Sequence, residues 1–411
     1  MVNSTFQKTI LPNGLRIVTE KIAGVYSIAL GVWIELGSRD ESEFNNGISH
    51  FIEHMLFKGT QNRTTMQIAE SLESVGGNLD AFTAKEMTCY SAHLLHEHLP
   101  LAVDVLSDII QHSLFEVREI EKEKEVIAQE ICHYLDTPED LVFEHFYSGF
   151  FTNHPLGYHI YGTIENVRKF IADDLRAFLN KNYCTNRIVI AAAGLVDHES
   201  LVDLVQRNFQ NLTPGASRSI SCVNAISKGL QKIQHRGTQT HLCLGMPAFP
   251  YRSEKRYPLL LLNTMLGGGM SSRLFQKIRE EYGLAYSIFS FTDFYADTGV
   301  FGVYQETDRK NVDRSIDLIH KECNYFVTNS ISHEEIVKAK HQVIGNLILG
   351  MENTFSRMNR LAKMEIYFNK YVPLEDVIQN IQAVSPEQIK QIAGELFQDN
   401  GEYLTVLYPR E

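Results

Sequence analysis

"HFIEHMLF", residues 50–57, falls opposite "LLLNTMLG", residues 260–267, when the chain is laid against itself. The likeness continues in the same order. "IAESLESVGG" (68–77) pairs with "LFQKIREEYG" (274–283), and "EVREIEKEKEVIAQEI" (116–131) with "SHEEIVKAKHQVIGNLI" (332–348). "TIENVRKFIADDLRAFLNKNY" (163–183) pairs with "PLEDVIQNIQAVSPEQIKQIAGELF" (373–397). A self-match at half the chain length marks a duplicated domain rather than a solenoid of short repeats. The stretch "NLTPGASRSISCVN" (211–224), rich in Gly, Pro, Ser and Asn, is the expected junction, giving domains at 1–215 and 216–411. A chain of 411 residues with 44% hydrophobic residues is too long for one ordinary core.

Each half mixes strand and helix signals. "GLRIVTEKI" (14–22), "VYSIALGVWIELG" (25–37) and "RIVIAAAGLV" (187–196) are β-rich runs bounded by turn residues. "TTMQIAESLESVG" (64–76), "LPLAVDVLSDIIQHS" (99–113) and "EVREIEKEKEVIAQEICHYL" (116–135) carry helical spacing. Without strict βαβ alternation, the expectation is an α+β fold: two duplicated domains, each an antiparallel-rich sheet with helices mainly on one face.

The bulk properties narrow the function classes. A net charge of −12 argues against nucleic-acid binding and favours basic ligands. No apolar run approaches the roughly 18–20 residues of a membrane span, and the opening residues carry no apolar signal core. The six cysteines form no CxxC pair and read as reduced thiols, so a cytoplasmic location is expected.

The duplication also isolates a chemical signal. His50, Glu53 and His54 fall opposite Leu260, Asn263 and Thr264, so the repeat keeps the apolar pattern without the polar trio. Packing therefore does not require histidines there. At about 100° per residue the trio shares one helical face, with Asn46 or Ser49 as the expected cap. The two imidazoles can reach one zinc ion, and Glu53 is better placed to hold a water than to bind the metal. H-x-x-E-H is the inverted zincin motif. The competing reading is two surface histidines on an amphipathic helix. A catalytic zinc needs a third ligand, and the candidates are Glu123 and Glu130, two turns apart on a helix face that Val126 and Ile127 make partly buried. They fall opposite Ala339 and Asn346, so they are lost together with the histidines.

H-x-x-E-H followed about 75 residues later by this glutamate-bearing helix resembles the pitrilysin/insulinase family of zinc metallopeptidases, in the branch that holds the mitochondrial processing peptidase and its bacterial relatives. The resemblance spans essentially the whole chain. It implies one Zn2+ per chain held by His50, His54 and Glu130, with Glu53 as general base and Glu123 as a supporting carboxylate. It also implies that Asp80, Ala81, Phe82 and Thr83 form an edge strand on which a peptide lies. The family's N-A-x-T has its Asn replaced by Asp80 here. Arg279 and Tyr286 would hold substrate near the scissile bond. Asp140 and Glu144 would receive a basic residue, although their Asp and Glu types are interchanged relative to processing peptidases. The implied assembly is a clam-like chamber made by a homodimer, or by a heterodimer with a paralogue, that admits extended peptides, basic ones included. The alternative function is a non-catalytic scaffold or regulatory subunit of such an assembly.

Overall fold

The structure is a computed structural model and describes residues 4–398 and 401–410. The first half opens with strands β1 (Ser4–Ile10), β2 (Arg16–Ile22) and β3 (Ser27–Ile34). Helices α1 (Ile48–Met55) and α2 (Thr65–Glu73) precede β4 (Asn78–Thr83) and β5 (Thr88–Leu95). Then come α3 (Leu99–His112), α4 (Val117–Asp136), α5 (Pro138–Phe150), α6 (Ile164–Lys169), α7 (Ala172–Asn182), β6 (Ile188–Gly194) and α8 (His198–Asn208). The second half runs β7 (Gly229–His235), β8 (Thr240–Ala248), α9 (Arg256–Gly267), β9 (Ser287–Phe294), β10 (Gly299–Thr307) and α10 (Val312–Thr328). It ends with α11 (His333–Gly350), α12 (Thr354–Phe368), α13 (Leu374–Ala383), α14 (Pro386–Phe397) and β11 (Tyr403–Pro409).

The duplication is visible in strand order. One sheet reads β1-β2-β6-β3-β5-β4 and the other β7-β11-β8-β10-β9. Apart from the added β1, each position has its counterpart. In both sheets a single parallel pair, β2 with β6 and β7 with β11, interrupts an otherwise antiparallel ladder. This is the expected α+β architecture. Among the described residues no helix is long and apolar enough to cross a membrane.

Two compact units result, and each takes in a segment of the other half of the chain. The first unit comprises 1–132, 158–221 and 350–371; the second comprises 133–157, 222–349 and 372–411. Thus α12 belongs to the first unit and α5 to the second, each opposite its own half. Both sheets are covered on both faces as a result. In β3, Ile28, Leu30, Val32 and Ile34 join the core under the first half's own helices. The alternate residues of β3 face α12: Trp33 Nε1 donates to Met358 Sδ at 3.1 Å, and a Cβ on Gly31 would come within 2.6 Å of that sulfur. This explains why the run "SIALGVWI" shows no polar alternation.

The two exchanged helices are held by different chemistry. On the first sheet, Arg357 pairs with the buried Glu20 at 2.6 Å, Lys8 with Glu365 at 2.8 Å, and Tyr367 donates to Glu86 at 2.7 Å. On the second, α5 is seated by rings. Phe146 and Phe150 are fully buried, and Phe143 packs against Phe291 and Tyr304 with centroids 5.1 and 5.6 Å away.

Arg357→Ala leaves the Glu20 carboxylate buried without its cation. The expected cost is about 3 kcal/mol to the first unit, a chemical-denaturation shift read by fluorescence of Trp33. Pairing it with Glu20→Gln should restore part of the loss. An unchanged midpoint in the single variant would show that α12 is not anchored there.

Candidate metal centre

Helix α1 turns Phe51, Ile52 and Met55 into the first core, all essentially buried. The face it leaves carries His50, Glu53 and His54 and is met by β4 and α4. The helix begins one residue after Gly47, whose φ of +96° is a conformation that glycine adopts readily. The expected caps, Asn46 and Ser49, do not cap with their own side chains. The buried Glu41 carboxylate instead accepts from the Gly47 and Ser49 amides at 2.8 and 2.9 Å.

On α4, Ile127 and Ile131 anchor the helix in the core, while Val126, expected to be partly buried, is 46% exposed. The inward face is therefore Glu123–Ile127–Glu130. His50 Nε2 and His54 Nε2 stand 3.8 and 3.5 Å from a Glu130 carboxylate oxygen, and one ligand atom from each of the three lies within 4.8 Å of the others. Four ligands at bonds of ~2.1 Å about a tetrahedral ion lie ~3.4 Å apart, so this spacing fits zinc and so does the N, N, O donor set. Burial, with a smaller push from His54, holds the His50 imidazole down to about 3, so it is neutral near pH 7, as a metal ligand must be. Glu130 is pushed up by burial and, less, by Glu123, against a downward pull from His54.

Glu123 does not face the ligand atoms. Its carboxylate meets His54 Nδ1 at 3.1 Å and Lys58 Nζ at 2.8 Å. Burial pushes its pKa up, but these two partners outweigh that and hold the carboxyl below its usual range. The contact orients His54 with Nε2 toward Glu130. Glu53 accepts from the Thr83 hydroxyl at the end of β4. Burial pushes Glu53 up, opposed by Thr83 and His54, which favours a carboxylate that can take a proton. The ring of Tyr161 closes another side, edge-on to His50 with centroids 4.7 Å apart.

Strand β4 is an edge strand, paired with β5 and with no other strand among the described residues. Of its four candidate residues, Thr83 reaches Glu53, Ala81 packs on the core, Phe82 lies on the other face against Trp33, and Asp80 is exposed, accepting from the Ala81 amide. The remaining candidates are in the second unit. Arg279 lies on a short helical turn, Phe275–Glu281, over the Phe275 ring, and Tyr286 is 79% exposed just before β9. Asp140 and Glu144 share a face near the start of α5. The sequence reading did not single out Glu41, Lys58 or Tyr161. Lys58 alone had a signal, one turn beyond His54.

Comparisons with known proteins agree with this architecture. Residues 16–164 match the insulinase family, peptidase family M16, and residues 169–343 match the peptidase M16 inactive domain. An uncharacterized zinc protease of Streptomyces coelicolor is 38% identical over 95% of this chain and 87% of its own. One from Bacillus subtilis is 38% identical over 94% of this chain and 95% of its own. The crystal structure of a protease from Helicobacter pylori shares the fold, with a TM-score of 0.91 at 19% identity over the full length of both chains. With both regions matched in order and such relatives aligned nearly end to end, the chain belongs to the insulinase family, peptidase family M16.

Proposed function

We propose that the chain is a zinc-dependent endopeptidase acting on peptides or unfolded segments. The observation that carries this reading is the convergence of His50, His54 and Glu130 within 4.8 Å, with Glu53 on the same short helix and beside an edge strand. The names of the relatives, zinc proteases, support it.

In this reading His50, His54 and Glu130 hold one zinc per chain. A bound zinc would supply a Lewis acid for the peptide carbonyl and acidify a water toward a pKa of ~7. Glu53 takes a proton from the water that attacks the carbonyl carbon, and returns it to the amine as the C–N bond breaks. Thr83 holds Glu53 at the end of β4, so the base stays beside the strand on which a peptide would pair by backbone hydrogen bonds. Glu123 keeps His54 oriented. The second half's Arg279 and Tyr286 hold substrate near the scissile bond, and Asp140 with Glu144 attract a basic side chain. We assign Arg279 and Tyr286 to the site of a second copy, two copies closing as a chamber.

Glu53→Gln should keep about one zinc per chain and lose roughly 10^2- to 10^4-fold in kcat on a basic unfolded peptide. Retained turnover in that variant would remove Glu53 from the chemistry. Mixing inactive Glu53→Gln with inactive Arg279→Ala chains should restore activity, because one site of each mixed dimer has both residues intact. No recovery after subunit exchange would refute the shared site.

The acid behaviour of the zinc-free chain is a separate check. His50 is held down to about 3 when folded, mainly by burial, against 6.5 ordinarily. Below pH 6.5 the unfolded chain takes up a proton that folded His50 does not, so stability is full above that pH and is lost as pH falls toward 3. Between pH 7 and 4.5 the loss from this group should be ~2 kcal/mol. His50→Gln should flatten that part of the profile, and an identical profile in the variant would contradict the buried neutral imidazole.

A further inference from the structure

We infer that Glu41 is a positioning residue of the metal centre: its buried carboxylate fixes the start of α1 and thereby the place of His50. The inference rests on the metal-centre reading above.

Helix α1 has eight residues, too few to stand alone in water. Its first amides have no partners within the helix. Glu41, 5% exposed, supplies an acceptor to both the Gly47 and the Ser49 N–H. A third donor, Asn46 Nδ2, reaches the same carboxylate at 2.9 Å. These three groups all donate, which suits a carboxylate with two accepting oxygens, whereas a protonated acid would turn one of them into a donor. Burial pushes the Glu41 carboxyl up, and these donors, at the helix end that favours negative charge, oppose that push. Ser49, held by Glu41, is the residue directly before His50. A shift of this cap therefore moves the first ligand, while His54 is tied independently through Glu123.

The same carboxylate organises the wall of the site. Asn46, besides meeting Glu41, donates to the His159 carbonyl at 2.8 Å. Asn166 donates to the Glu43 carbonyl at 2.9 Å. These bonds draw the 159–162 segment onto the start of α1 so closely that a Cβ on Gly162 would come within 2.3 Å of the Asn46 carbonyl oxygen. Tyr161, the residue before that contact, is the ring laid against His50. Glu41 thus joins the helix start and the segment that encloses the first ligand.

The experiment is zinc affinity by chelator competition, beside melting of the zinc-free chain and steady-state kinetics, for wild type, Glu41→Gln and His54→Ala. The expected result for Glu41→Gln is zinc binding weakened about ten- to hundredfold. The zinc-free melting temperature should stay near that of wild type. At subsaturating zinc kcat should fall while KM holds, which a merely structural role would not produce. If Glu41→Gln does not fold, Glu41→Asp replaces it. Asp keeps the charge but is one methylene short of holding both amides, and the same weakening is expected. A folded variant that binds zinc within twofold of wild type overturns this inference alone. A wild-type chain that binds no zinc, or a His54→Ala chain that binds it as tightly, overturns the metal-centre reading, and this inference falls with it.

Discussion

Three atoms able to ligate one metal ion, 3.5–3.8 Å apart across the pairs to Glu130, stand at the margin of an apolar core, and the first unit is arranged around that constraint. Each group is secured by something different. His54 is turned by Glu123, which Lys58 in turn stabilises. His50 is fixed by burial and by the Tyr161 ring. Glu130 rides on a helix whose Ile127 and Ile131 are sunk in the core. The charges do not balance: Glu53, Glu123 and Glu130 face one lysine and a neutral His50. Like charges held this close raise one another's cost of ionisation, and a divalent cation held by His50, His54 and Glu130 would relieve it.

The scaffold meets this demand by burying each sheet twice. A half-exposed sheet would leave β3 and its neighbours free to flex beneath α1. Here β3, buried from Ile28 to Ile34 and with Gly31 opened to Met358, is gripped between the first half's helices and α12. The anchoring of α12 uses paired charges, which are costly to bury and specific in register, whereas the seat of α5 is a cluster of rings, which is apolar and less directional. Equal strand orders thus support unequal interfaces.

Much of this was legible in the sequence because the chain carries its own control. Phe51, Ile52 and Leu56 are fully buried, and so are Leu261, Leu262 and Leu266, their counterparts in the repeat. Those positions are dictated by packing, and the positions between them are not. That contrast exposed His50, Glu53 and His54, and the parallel loss at Ala339 and Asn346 exposed Glu123 and Glu130. The exchange of α5 and α12 was not legible, since amphipathic spacing says that a helix buries one face and not which sheet receives it. Glu41 escaped for a similar reason: a cap supplied from outside the usual positions leaves no spacing to read. Val126 was misplaced because a helix face was judged from sequence steps alone, while the packing of α4 turns on Ile127.

The link between Thr83 and Glu53 carries a consequence for selectivity. A peptide added to β4 would take its register from backbone hydrogen bonds, and those repeat along any sequence without reading side chains. Thr83 ends that strand and donates to Glu53, the base of the proposed mechanism, so the position of Glu53 relative to a backbone paired with β4 would be set by the sheet and not by the substrate. Phe82 points to the opposite face and packs on Trp33, which makes it part of the support and removes it from the reading of a peptide lying on the helix side. Under the proposed function, selectivity among peptides would then come from groups outside β4, and in a chain of net charge −12 the acidic side chains would favour basic ones.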